Sequence, residues 1–285
     1  MILGIGCLTA MDALAKALVE LNLNPIQVLG LRMFVIVPAI LIVFGWRGKL
    51  PELAPTRLRF QIIRGCIGFF APFCFFLSLK FLPLSNAVVV SYSSIMMITI
   101  LSHVFLDEKV GVHRWSAVVL GFIGVYIAAS PSGEGELLGY FLVFGAALSY
   151  AVLFVTGRHL SRTESVGSLV FVFNCCTGLI SLCLMPLVWI PVDLWGLVMI
   201  GALGILAVCG HFCIVLAFTH SQASLVAPFE YTSLIWAILI EGVIWQYFPG
   251  LNTLMGATLI ITAGLYVIYR ENKLHKVAKA VHSPP

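Results

Sequence analysis

Three observations predict an all-α polytopic membrane protein with ten transmembrane helices arranged as two inverted five-helix repeats. Of the 285 residues, 61% are hydrophobic and only 10% are charged, whereas a soluble domain carries about 25% charged residues. Apolar runs long enough to cross a hydrocarbon core of ~30 Å recur along the whole chain, leaving no room for a soluble domain. The two halves of the chain also resemble each other, and each holds an odd number of runs.

The spans fall at 2–20, 26–46, 60–80, 84–106, 113–130, 137–158, 166–190, 194–217, 224–246 and 251–270, with boundaries good to about three residues. The first run has no basic leader, and no small-residue cleavage site followed by a soluble domain. It therefore reads as a span rather than a signal peptide. Asn24-Pro25 separates it from the second span, and Leu82-Pro83 separates the third from the fourth. Ser130-Pro131-Ser132-Gly133 marks the turn between the halves, Pro191 the turn into the eighth span, and Pro249-Gly250 the turn into the last.

Lysine and arginine in the connections set the orientation. Arg47, Lys49, Arg57, Arg59 and Arg64 follow the second span, Lys109 and Arg114 the fourth, and Arg158 and Arg162 the sixth. The end of the chain adds Arg270, Lys273, Lys276 and Lys279. The opposite side carries Lys80 beside the acidic Glu134 and Glu136. Both termini are thus expected in the cytoplasm, as an even number of spans requires. The formal charge of +4 is a topology signal, and no nucleic-acid partner is expected.

Cys7, Cys66, Cys74, Cys175, Cys176, Cys183, Cys209 and Cys213 all fall inside spans, where cysteine behaves as a small apolar residue. Cys209-x-His211-x-Cys213 has metal-like spacing, but on a helix His211 points about 200° away from the two cysteines. Neither a disulfide nor a metal is expected.

The repeat is visible as "RGCIGFFAPFCFFLSLKFLPLSNAVVVSYSS" against "IGALGILAVCGHFCIVLAFTHSQASLVAPFE". One constant offset matches Gly65 to Gly201, Gly68 to Gly204, Ser85 to Ser221, Ala87 to Ala223 and Ser94 to Glu230. Further on, "GFIGVYIAAS" matches "ITAGLYVIYR", pairing Gly124 with Gly264 and Tyr126 with Tyr266. With five spans each, the second half must enter the membrane upside down. The expected units are 1–132, 133–270 and a basic cytoplasmic tail at 271–285. Inverted repeats recur in secondary transporters, whose substrate sites lie near the midplane where the repeats meet.

Ten spans in this arrangement, the "RG" that opens the third, and "LDEKVGVHRWSAVVLGFIGVYIA" across the fourth and fifth resemble the drug/metabolite transporter superfamily, and within it the EamA type. "DALAK" in the first span, Arg32 in the second and "RG...F...F" in the third are most similar to the branch that includes bacterial S-adenosylmethionine uptake carriers, and "APFEYTSLIWA" in the ninth is similar to segments of the broad group. The resemblance covers nearly the whole chain and implies a carrier of a small metabolite in the bacterial inner membrane. The second half departs from the pattern: Gln246-Tyr247 stand where Asp107-Glu108 stand in the first. Glu108 thus reads as a local loop cap.

In the ninth span, Ala223, Ala227, Glu230, Leu234, Ala237 and Glu241 form one helical stripe of small and acidic residues. Leu225, Phe229, Trp236 and Ile240 occupy the opposite face. Glu230 lies about 9 Å into the helix from Ser224 at 1.5 Å per residue, and Pro228 loosens the turn before it. The plain reading is a hydrogen bond to a neighbouring helix. The functional reading is a site for a cationic substrate group or a coupling proton, the usual meaning of an ionisable residue at this depth.

Asp12 and Lys16 stand at i, i+4 in the first span, near Thr9 and Glu20, and Arg32 lies towards the same outer side on the next helix. Asp12 is within reach of either cation. The surplus positive charge suits a substrate carboxylate or phosphate, and the alternative is a structural ion network. Tyr92, Met96, Thr99 and His103 share a face of the fourth span, beside Asn86, Ser91, Ser93 and Ser94. Tyr150, Asn174, His211 and Tyr231 complete the candidates, as packing residues singly and as a cavity lining together. Tyrosine and Trp236 near Glu230 suit an amine through cation–π contact. Gly6-x3-Ala10 and Ala13-x3-Ala17 read as helix-packing seams.

The chain has no G-x-x-x-x-G-K-[ST] loop, which argues against an ATP-driven pump. His103 and Asp107 have spacing for general-base chemistry, but no nucleophile or metal cluster assembles around them. A secondary carrier without a cofactor is therefore expected, rather than an enzyme or a channel. Its partners would be the lipid bilayer and a small zwitterionic or amine-containing solute. S-adenosylmethionine-like uptake is the leading case and amino-acid export the runner-up. Saturable counterflow, unsaturated flux and chemical conversion would distinguish carrier, channel and enzyme.

Overall fold

The computed structural model describes residues 1–106, 110–129, 136–161, 163–220 and 226–282, without the side chains of 218, 219, 227, 271, 272 and 274–282. Asp107, Glu108 and Lys109, the inter-repeat turn 130–135, Arg162, and the Ser221–Leu225 part of the ninth-span stripe lie outside that description.

Eleven α-helices run in order among the described residues: α1 (Ile2–Glu20), α2 (Pro25–Trp46), α3 (Leu58–Ser78), α4 (Leu84–Ser91), α5 (Ser93–Leu106) and α6 (Val112–Ala128), then α7 (Leu137–Leu160), α8 (Val166–Leu184), α9 (Leu194–His220), α10 (Thr232–Ile244) and α11 (Leu251–His282). Among the described residues, eight stretches are long and apolar enough to cross a membrane, counting Leu84–Leu106 as one, and Val112–Ala128 is apolar but shorter.

Local chemistry sets the helix ends. Asn24 caps α2, its side chain accepting from the Ile26 N–H with Pro25 in the first turn, and Ser165 caps α8 by accepting from the Ser168 N–H. Asn22, Gly48 and Gln246 take positive φ just past α1, α2 and α10. That geometry folds the next N–H back onto the last turn, as Leu23 does onto Leu18 and Lys49 onto Phe44.

The helices form a closed ring. α1 packs on α9, α9 on α2, α2 on α8, α8 on α3, α3 on α7, α7 on α5, α5 on α6 and α6 on α11. The segment from Ala227 to Ile244 closes the ring between α11 and α1. α4 is wedged among α10, α7 and α6, which is why Leu84 through Val90 are buried all round. Close seams use glycine. A Cβ on Gly4 of α1 would meet the Gly210 carbonyl of α9 at 3.0 Å, and one on Gly124 of α6 would meet the Gly256 carbonyl of α11 at 2.8 Å.

Two spans differ from the continuous helices expected. The fourth is broken at Tyr92 into α4 and α5. In the ninth, Ala227–Tyr231 form a 3-10 helix before α10 begins, so Glu230 does not lie on one α-helical stripe with Leu234, Ala237 and Glu241. Pro228 supplies the cause there, because it lacks the N–H that an α-turn needs. The tenth span runs on as helix to His282, past the predicted boundary at 270.

Candidate substrate-binding site

The two breaks occupy matched positions of the repeats and touch each other. Tyr92 sits in the alignment opposite Pro228, and Ser94 opposite Glu230. The Tyr92 hydroxyl reaches the Ser233 Oγ at 2.7 Å and donates to the Tyr231 carbonyl at 3.3 Å. The two tyrosine rings meet edge to face at 5.3 Å. An interrupted helix exposes backbone groups that must find partners. Here one such group, the Tyr231 carbonyl, is met by the Tyr92 side chain of the opposite repeat.

Glu230 is exposed beside this junction, with its carboxylate in no hydrogen bond among the described residues. It lies within electrostatic reach of Tyr92, Tyr231 and Tyr150. Tyr150 of α7 is 48% exposed although its helix is part of the ring. Ser94, two residues after Tyr92, is half-buried. A carboxylate within electrostatic reach of three tyrosines suits a cationic group, which attracts both a carboxylate and aromatic ring faces.

A second group lies on α1, α2 and α9. Arg32 is 6% exposed, and its guanidinium carbon stands 5.5 Å over the Phe76 ring. Asp12 and His211 are within electrostatic reach of it. His211 Nδ1 is held by its own helix, 2.6 Å from the Ala207 carbonyl oxygen.

Lys16 is elsewhere. The expectation that it joins Asp12 and Arg32 gives way to a buried ion pair, with Lys16 Nζ 2.6 Å from Glu241 Oε1 and 4.5 Å over Trp245. Glu241 also accepts from the Leu84 and Ser85 N–H groups at 2.6 and 2.9 Å and from the Ser85 hydroxyl at 2.6 Å. One carboxylate therefore caps α4 and neutralises Lys16. Nearby, Trp245 Nε1 donates to Glu20 at 2.6 Å, and Thr9 bonds back to Ile5 on its own helix. Sequence spacing named Glu241 only as the end of a stripe. Its signal was a deep carboxylate in the same span as Glu230, with no i, i+4 partner to reveal Lys16.

Two further candidates are not brought to the junction by any described contact. Trp236 packs its ring over Gly6 of α1, and Asn174 donates to the Val170 carbonyl of its own helix at 2.9 Å. Surface depressions of about 430 and 490 Å³ include none of the candidate residues.

A ring of apolar helices in which two broken spans touch, beside polar side chains with no hydrogen bond among the described residues, is the build of a multi-pass membrane transporter. The EamA-like transporter family model matches residues 1–130 and 137–270, and the chain belongs to that family. It is 30% identical over 268 residues to an S-adenosylmethionine uptake transporter of Rickettsia bellii (strain RML369-C), covering 93% of this chain and 90% of the relative. The pseudopaline exporter CntI of Pseudomonas aeruginosa (strain UCBPP-PA14) is 25% identical over 214 residues, covering 71% of this chain and 72% of the exporter. A crystal structure of a protein 20% identical in sequence superposes with a TM-score of 0.64 over 94% of this chain and 96% of that one, and shows the same fold.

Proposed function

We propose that this chain is a secondary active carrier for a small zwitterionic or amine-containing metabolite, working by alternating access. The repeats 1–132 and 133–270 rock around the junction of the two breaks, and 271–285 is a basic cytoplasmic tail. Glu230 receives the positive group of the solute or a coupling proton, with the tyrosines around it. The observation that carries this reading is the contact of Tyr92 with Tyr231 and Ser233, which joins the repeat-matched breaks beside an unpaired carboxylate.

The leading substrate is S-adenosylmethionine or a close analogue, taken up across a bacterial inner membrane with both chain termini in the cytoplasm. Similarity to the Rickettsia uptake transporter over nearly the whole chain supports it. Export of amino acids or related metabolites is the second reading, favoured by similarity to an exporter over much of the chain.

Counterflow in proteoliposomes tests the carrier. Vesicles preloaded with S-adenosylmethionine, amino acids, riboflavin or polyamines are offered the matching labelled compound. Saturable accumulation of one compound is expected. Unsaturated flux would indicate a channel, and conversion of the label an enzyme.

A further inference from the structure

The buried charges of this protein divide into two kinds. Lys16 and Glu241 hold each other, and Glu241 has three further donors. Arg64 donates to the Leu153 and Leu169 carbonyls at 3.1 and 3.3 Å, bridging α7 and α8. Arg32 and Asp12 are different. Among the described residues neither makes a hydrogen bond or an ion pair, although each lies in the other's field.

Among the described residues, the sealed polar atoms that lack partners are Gln61 Oε1, Ser93 Oγ and Thr177 Oγ1. The Arg32 nitrogens and Asp12 oxygens are not among them, so they keep some accessible surface. The Arg32 guanidinium, 6% exposed and stacked over Phe76, has five donors to fill, and the Asp12 carboxylate in its field has acceptor positions to fill. Leaving both unpaired is costly unless a ligand completes them.

We propose that Arg32 and Asp12 grip the head of a free α-amino acid moiety. The ligand carboxylate pairs with the Arg32 fork and its α-ammonium with Asp12. Guanidinium matches carboxylate in a planar two-bond geometry that lysine cannot reproduce. Carboxylate and ammonium sit on one carbon in an amino acid, so one ligand group satisfies both residues. The rest of the ligand is left for the tyrosines and Glu230. This inference rests on the carrier reading for its site and narrows the solute to compounds with an unmodified α-amino acid end.

The test measures binding and thermal unfolding of the full purified chain with S-adenosylmethionine, decarboxylated S-adenosylmethionine and L-methionine. At least one of the two probes with an α-carboxylate should stabilise the wild-type protein. The decarboxylated compound should bind about tenfold or more weakly than S-adenosylmethionine, and Arg32→Lys should weaken the carboxylate-bearing probes to a similar degree. Without ligand, Arg32→Gln and Asp12→Asn should unfold at or above the wild-type temperature, because each removes an unpaired charge. A clear drop in both ligand-free variants would make the two residues a structural pair and overturn the grip. Equal binding of S-adenosylmethionine and its decarboxylated form to wild type would overturn it too, as would no binding of either carboxylate-bearing probe. Counterflow of riboflavin or a polyamine alongside that last result would leave the carrier standing without the grip. Arg32-dependent binding without counterflow of any compound would do the reverse.

Discussion

Glu241 accepts four hydrogen bonds in a position with 0% exposure, from Lys16, Ser85 and the first two N–H groups of α4. Breaking a buried pair by removing one partner leaves the other charge uncompensated. Glu241→Ala should therefore cost about 3–5 kcal/mol. Pairing Lys16→Met with Glu241→Gln removes both charges while keeping an acceptor for the α4 N–H groups, and should restore most of that loss. Thermal unfolding followed by tryptophan fluorescence measures both, and an unchanged midpoint in Glu241→Ala would show that the cluster holds nothing together. None of this was readable from spacing, because Lys16 and Glu241 lie in different repeats and meet only when α10 packs on α1. Asp12, Arg32 and Glu230 were readable as ionisable residues at membrane depth, since composition alone makes them conspicuous there.

Among the elements, the long apolar spans were legible because hydropathy and length suffice to define them. The break at Tyr92 was not. No proline or glycine lies between Leu84 and Leu106, and the interruption is a single turn in which the Tyr92 N–H bonds back to the Val89 carbonyl. At Pro228 the sequence did carry a signal, and a 3-10 helix forms there.

The connection between α7 and α8 offers an element-scale prediction. Glu164 of that connection is buried, which by itself would raise its pKa. Bonds from the Thr56 hydroxyl at 2.7 Å, the Thr56 N–H at 3.0 Å and the Arg57 N–H at 2.5 Å outweigh burial and hold it below the ordinary 4.5. A lowered folded pKa contributes stability that is complete above the unfolded value and disappears as pH falls through the folded one. The unfolding midpoint of wild type should thus approach that of Glu164→Gln as pH drops below 4.5. A constant difference between the two across that window would contradict the assignment. The seam of α6 with α11 gives another. A side chain at Gly256 would run into the Gly124 carbonyl and Ala128, so Gly256→Val should lower the unfolding temperature or prevent assembly, as size exclusion in detergent would reveal.

At the scale of the whole molecule, two repeats placed in one ring bring their interruptions to a common centre, and a carrier needs such a centre. Repeat similarity in the sequence pointed there through the match of Ser94 with Glu230. The contacts that complete the centre are long-range and had no local signature. Tyr92, Tyr231 and Ser233 connect the halves, and the Glu230 carboxylate beside them makes no hydrogen bond among the described residues. The most direct measurement is counterflow by Glu230→Gln beside wild type, in proteoliposomes where both are shown to be folded and equally incorporated. The account predicts that the substitution abolishes exchange or changes its affinity and pH dependence. Wild-type affinity, rate and pH dependence in Glu230→Gln would contradict it and reduce Glu230 to a packing residue.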